Sequence, residues 1–226
     1  MPFAPRFDFT ASILKGLASV ERARTVVEIL PLPLSVEKRM RKDARVRVAH
    51  NSTWIENRTL SLDQARRVIE DKAQLDPTRA ASVAAVELRN YWEALDFIDA
   101  VAAGQFTEDL IRQLHAVIYR GMSGPGRPPA LSDYREHHVQ VGSMEYLPPE
   151  PHDVPGLMSE FVAWVRANEA IVPGPILAAI VAYQFVTIHP FGDGNGRTCR
   201  ALATLILKRT GYGLKGMASM ESCVEG

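Results

Sequence analysis

Apolar residues recur along this chain at intervals of three and four, the spacing that puts them on one face of a helix. Read from the N-terminus, the pattern predicts helices over 11–30, closed by Pro31-Leu32-Pro33, over 35–56 with Ser35 as N-cap, and over 61–71 with Ser61 as N-cap. A long helix follows over 77–103, where Val83, Val86, Leu88, Tyr91, Leu95 and Ile98 form the apolar stripe. Thr107 caps another that reaches residue 120, with Glu108 and Asp109 in its first turn. Residues 121–129 hold three glycines and three prolines and read as a loop. The one strand-like pair is Val139-Gln140-Val141 with Tyr146-Leu147; residues 142–145 are its turn and Pro148-Pro149 its end. Helices then cover 154–167, 174–188, and 195 or 196 to 210, the last ended by Gly211. Residues 212–226 show no clear pattern, and a further helix could follow them. The expected fold class is mainly α with one β-hairpin.

Composition narrows the function classes. The chain has 226 residues, 46% hydrophobic and 23% charged, as expected of a globular protein with a real core. Formal net charge is zero, so no bulk field collects nucleic acid or an anionic membrane. The basic run Lys38, Arg39, Arg41, Lys42, Arg45 and Arg47 reads as the solvated face of a helix. The longest apolar run, 176–188, is shorter than the about 20 residues that span a bilayer. The N-terminus lacks a charged-then-apolar signal pattern, and Cys199 and Cys223 have neither metal spacing nor a disulfide framework. A cytoplasmic protein is therefore expected.

The chemistry concentrates in His189-Pro190-Phe191-Gly192-Asp193-Gly194-Asn195-Gly196-Arg197. Gly192, Gly194 and Gly196 let the main chain approach a ligand closely. The loop opens a helix, where free amides and the helix dipole bind phosphate. Arg197 and Arg200, three apart on that helix, can fork onto phosphate oxygens. Asp193 is a single carboxylate beside phosphates, the usual Mg²⁺ ligand. His189 can take a proton near neutral pH, and Phe191 anchors the loop from below. These parts describe phosphoryl or nucleotidyl transfer. Two other readings fail. Asp193-Gly194 and Asn195-Gly196 are hairpin-turn dipeptides, but their flanks have helical periodicity. An EF-hand loop starting at Asp193 would need Glu at its twelfth position, where Thr204 stands.

Residues 189–200 resemble the signature of the Fic family, His-x-Phe-x-Asp/Glu-Gly-Asn-Gly/Lys-Arg-x-x-Arg, at every specified position. The resemblance implies a Fic-type helical domain over 76–226, preceded by an N-terminal helical region, 1–75. It implies His189 as the base that deprotonates a Ser, Thr or Tyr hydroxyl, and Asp193 as the Mg²⁺ ligand on the α- and β-phosphates of ATP. Gly194, Asn195, Gly196 and Arg197 would form an anion hole with Gly192, and Arg200 would hold the γ-phosphate. The hairpin, with Val139, Gln140, Val141 and Gly142, would be a flap that docks a target protein by strand addition. The implied activity is transfer of AMP to a protein. Transfer of phosphate or phosphocholine, removal of AMP, and a non-enzymatic nucleotide-binding module are the competing readings. A homodimer is compatible with all of them.

Ser52-Thr53-Trp54-Ile55-Glu56-Asn57 also resembles the inhibitory pattern of that family, Ser/Thr-x-x-x-Glu-Gly/Asn, on a helix spanning about 35–57. Glu56 falls at a helix C-terminus, where the dipole disfavours an acid and a partner cation relieves it. The resemblance supplies Arg200 as that partner. His137, His138, Asp133, His152 and Asp153 repeat no zinc spacing and read as a polar loop. His115 and His50 have no distinguishing context, Cys199 reads as a packing residue, and Trp54, Trp92 and Trp164 read as core.

Overall fold

The computed structural model describes residues 4–70, 80–122, 131–141 and 146–217. The expected turn of the hairpin with Gly142, the 75/76 domain boundary, Cys223 and the end of the tail lie outside those residues.

Eight helices are present among the described residues: α1 (Ala11–Ile29), α2 (Leu34–Trp54), α3 (Leu62–Glu70), α4 (Ala80–Val101), α5 (Glu108–Ile118), α6 (Val154–Asn168), α7 (Gly174–Ile188) and α8 (Asn195–Arg209). Their ends follow local chemistry. Thr107 caps α5, its hydroxyl accepting from Leu110 N. Ser61 and Gln64 form a reciprocal capping box at the start of α3. Ser35 does not cap α2. The cap is Pro33, two residues earlier, whose fixed φ suits a helix start and whose carbonyl accepts from Val36 and Glu37.

α7 is the most apolar helix, and its buried residues Leu177, Val181, Phe185 and Ile188 pack against α6 and α8. Around it lie Leu88, Tyr91 and Ile98 of α4, Ile111, Leu114 and Ile118 of α5, Met158 and Phe161 of α6, and Leu202, Leu205 and Ile206 of α8. Val48 and Ala49 of α2 and Ala65 of α3 join the same buried cluster, so the N-terminal helices share the core. α1 contributes no buried residue; it is held through Tyr212, whose hydroxyl donates to Glu21 and whose ring lies under Arg24.

Three further expectations need correction. The basic run on α2 is not wholly solvated. Arg45 crosses to α4, where it binds Asp96 at 2.6 Å and Asp99 at 3.2 Å and lies over Trp92. The apolar stripe of α2 must pack on α4, and that brings Arg45 into reach of its acids. Trp54, Trp92 and Trp164 are half-buried rather than central, and Trp54 stacks on His50. The strand-like pair forms one antiparallel bridge, Val141 to Tyr146, without a named strand among the described residues.

Candidate active site

The loop between α7 and α8 turns on two left-handed residues. His189, the C-cap of α7, has φ 51° and ψ 59°. Gly194, the N-cap of α8, has φ 75°. A Cβ there would lie 3.1 Å from His115 Nε2 and 3.2 Å from the Tyr119 ring, so glycine is required on both counts. Asn195 staples the loop: its side chain accepts from Phe191 N at 3.0 Å and donates to Phe191 O at 2.8 Å. Phe191 is buried and stacks on His115, with 3.8 Å between ring centres. The first-turn amides of α8 have no intrahelical acceptor and open beside Gly196.

His189 Nδ1 lies 3.2 Å from Val186 O. A carbonyl only accepts, so Nδ1 carries the proton and Nε2 is the bare nitrogen. Burial holds the imidazole below its ordinary range, and the Arg135 guanidinium pushes the same way, so the ring is neutral at pH 7. Asp193 is fully engaged on one side. Oδ1 accepts from Gly194 N at 2.6 Å and Oδ2 from Tyr119 OH at 3.1 Å. No group of three or more His, Cys, Asp or Glu side chains suited to a metal occurs among the described residues. A lone carboxylate with lone pairs to spare fits a hard cation that takes its other ligands from water and phosphate oxygens.

The two arginines part company despite their spacing. Arg197 turns inward and binds Glu87 of α4 at 2.9 Å, both nearly inaccessible. Burial pushes the Glu87 carboxyl up, while Arg197 and the Asn57 amide oppose the rise. Arg200 turns to α2. Its Nε donates to Ser52 Oγ at 2.9 Å, and its terminal nitrogen donates to Ser52 O at 2.8 Å and to Glu56 Oε1 at 3.0 Å. A Cβ added at Gly196 would collide with Glu56 Oε1, so that carboxylate lies directly against the first turn of α8. The structure therefore brings Ser52 and Glu56 to Arg200 from 148 and 144 residues away in the chain, and Asn57 to Glu87, the partner of Arg197.

Several residues at the site had no assigned role in the sequence reading. His115 Nε2 bonds Asp193 O at 2.8 Å, and Nδ1 bonds Ser132 Oγ at 2.6 Å. Its one signal was position: it falls on the apolar face of α5, between Ile111 and Ile118. Glu87 had a similar signal, an acid beside the apolar stripe of α4. Arg135 lies in an irregular segment, and no periodicity marks it. Val141 bridges to Tyr146, whose hydroxyl donates to Thr187 O at 2.8 Å, tying that segment to α7, and no hydrogen bond joins Val139 or Gln140 to the loop among the described residues. His138 faces Glu150 and His152 faces Asp153.

Fold and loop together define a class: a helical domain in which a glycine-rich turn opens a helix beside a neutral imidazole. Residues 105–207 match the Fic/DOC family model. The protein adenylyltransferase Fic of Culex quinquefasciatus is 34% identical over 176 residues, covering 77% of this chain and 34% of that protein. The protein of the same name from Drosophila virilis is 31% identical over 201 residues, 88% of this chain and 40% of that one. Among solved structures, a Fic family protein from Desulfovibrio desulfuricans superposes with TM-score 0.75 at 25% identity, covering 95% of this chain and 64% of the other. A Fic domain containing signaling protein from Bacteroides thetaiotaomicron gives 0.70 at 25% identity, covering 87% and 72%. This chain belongs to the Fic family. It spans about a third of the length of the curated relatives it matches.

Proposed function

We propose that the chain transfers AMP from ATP to a hydroxyl of a target protein, and that Glu56 holds this activity down. The observation that carries the reading is the bare Nε2 of a neutral His189 beside the amide cradle of α8. In the step proposed, Nε2 takes the proton of a Ser, Thr or Tyr hydroxyl and its oxygen attacks the α-phosphorus. The new P–O bond forms as the bond to the β-phosphate bridge breaks, and pyrophosphate leaves. The free amides at residues 195–197, with the helix dipole, receive charge building on the phosphate oxygens. Gly192 and Gly194 carry the turn, Gly196 leaves room for that approach once Glu56 is withdrawn, and Arg200 is the counter-ion for the outer phosphate. Arg197, braced by Glu87, supports the cradle from behind. Asp193 would hold Mg²⁺, which when bound neutralises phosphate charge. The target segment would dock by strand addition along Val139, Gln140 and Val141. No described helix is long and apolar enough to cross a membrane. We place the reaction in the cytoplasm, where ATP is plentiful and a packed thiol such as Cys199 stays reduced.

The proposed brake works by occupancy rather than strength. The Glu56 side chain is 42% exposed, so its pairing with Arg200 is worth at most about 1 kcal/mol. Its place against Gly196 matters more. A carboxylate there repels a triphosphate, and Arg200 is already committed to Ser52 and Glu56. Glu56→Gly is expected to raise labelling of protein by ATP and Mg²⁺ at least about tenfold. His189→Ala in that background is expected to lower it by about 10²–10⁴-fold. Mass spectrometry of the labelled product checks the chemistry, since AMP, phosphate and phosphocholine differ in added mass. Label that persists in the His189 variant, or wild type labelling as well as Glu56→Gly, would reject the reading. Nucleotide binding without any label would favour a non-enzymatic module.

A further inference from the structure

Arg135 is 4% exposed and has no carboxylate within ion-pair distance among the described residues. Burial disfavours its charge and the Glu150 carboxylate offsets that only at longer range, so its hydrogen bonds must hold it. All of them go to main-chain carbonyls. Nε donates to His189 O at 2.8 Å, one terminal nitrogen to His137 O at 3.3 Å, and the other to Pro149 O at 2.5 Å. The main-chain N–H of Arg135 also donates to Pro190 O at 2.9 Å. One residue thus grips two consecutive peptides of the catalytic loop and both ends of the 137–149 segment.

The His189 grip has a conformational purpose. A left-handed conformation is unfavourable for a residue with a side chain, and His189 holds it at the C-cap of α7 with Nδ1 bonded to Val186 O. Its N–H is tied to Phe185 O, and its carbonyl is tied to Arg135. A bond to a charged donor is stronger than one between neutral groups, so the two ties together over-determine the twist. Resting on the transferase reading above, we propose that Arg135 is a positioning residue that sets the catalytic imidazole and the docking segment in one frame. A target hydroxyl docked on that segment then meets Nε2 at a separation fixed by one planar fork; a lysine would supply its charge and donors from a single nitrogen, which cannot span the three carbonyls that Arg135 reaches with three.

The test uses the full chain carrying Glu56→Gly, with Arg135→Gln and Arg135→Lys added separately. Three quantities are read for each: amide hydrogen exchange, ATP affinity by calorimetry, and initial labelling rate. With either substitution, exchange at Val139–Val141 and Tyr146–Leu147 is expected to rise by about tenfold, while α4 and α5 stay protected. The labelling rate is expected to fall by about 100-fold, the cost of a reacting group misplaced by about 1 Å. The dissociation constant for ATP is expected to stay within about twofold, because Arg135 touches no part of the amide cradle. Unchanged exchange in the segment, or an unchanged labelling rate, overturns the proposal. So does an equal loss of ATP affinity. If Arg135→Gln does not fold, Arg135→Lys, which keeps the charge and bulk, decides by the same readouts. Should the Glu56→Gly parent fail to label anything, the transferase reading fails, while the exchange data still decide whether Arg135 ties the segment to His189.

Discussion

His115 shows how one buried side chain can set both a loop and a pH dependence. Asp193 O can only accept, so His115 Nε2 carries the hydrogen and Nδ1 receives the Ser132 hydroxyl. Burial drives its pKa from 6.5 to about 4. The unfolded chain therefore binds a proton below about pH 6.5 that the folded chain refuses until about pH 4, and folding stability falls as pH drops through that window. At 1.36 kcal/mol per pH unit the loss amounts to about 3 kcal/mol. Glu87, with its raised carboxyl, works in the opposite direction, so the comparison must be made between variants. Melting temperature measured from pH 7 to pH 4 should fall less steeply for His115→Gln than for wild type. Parallel curves would show that His115 is protonated in the folded protein.

At the scale of elements, the seam between α2 and α8 is the part to watch. Ser52 is fully buried and holds Arg200 through both its hydroxyl and its carbonyl. Ser52→Ala removes one bond and leaves a charged donor facing a methyl group, at about 1–3 kcal/mol. That weakens the latch without removing Glu56. The expected result is a lower melting temperature together with labelling raised by about fivefold, less than Glu56→Gly achieves. If the melting temperature falls and labelling does not change, Ser52 supports the fold but not the brake. α5 makes the complementary contact: Arg112, His115 and Tyr119, spaced to share a face, reach Ser132, the Asp193 carbonyl and the Asp193 carboxylate.

Across the whole molecule, stability is concentrated around α7. Phe185 is wholly inaccessible and packs against Phe161 and Phe191. Phe185→Ala should cost about 3–5 kcal/mol, seen as a lower denaturant midpoint. Leu14 on α1 is 53% exposed, and Leu14→Ala should change stability by less than about 0.5 kcal/mol. Comparable losses for both would mean that α1 packs more tightly than its exposure indicates.

The helical architecture was legible because apolar spacing is a local property: the stripe on α4 and the caps at Thr107 and Ser61 can be read without knowing what they touch. The loop from His189 to Arg200 was legible for the same reason, since turn, cradle and imidazole lie within twelve consecutive residues. Partners across long stretches of chain were not. Arg197 and Arg200 share a spacing, yet a buried acid on α4 draws one inward and α2 draws the other outward. His115 and Arg135 carry no motif because their acceptors are main-chain carbonyls, which every residue offers. Only packing decides which carbonyl comes within reach, so the sequence alone determined the elements and the chemistry of one loop, and the tertiary structure chose the side chains that hold that loop in place.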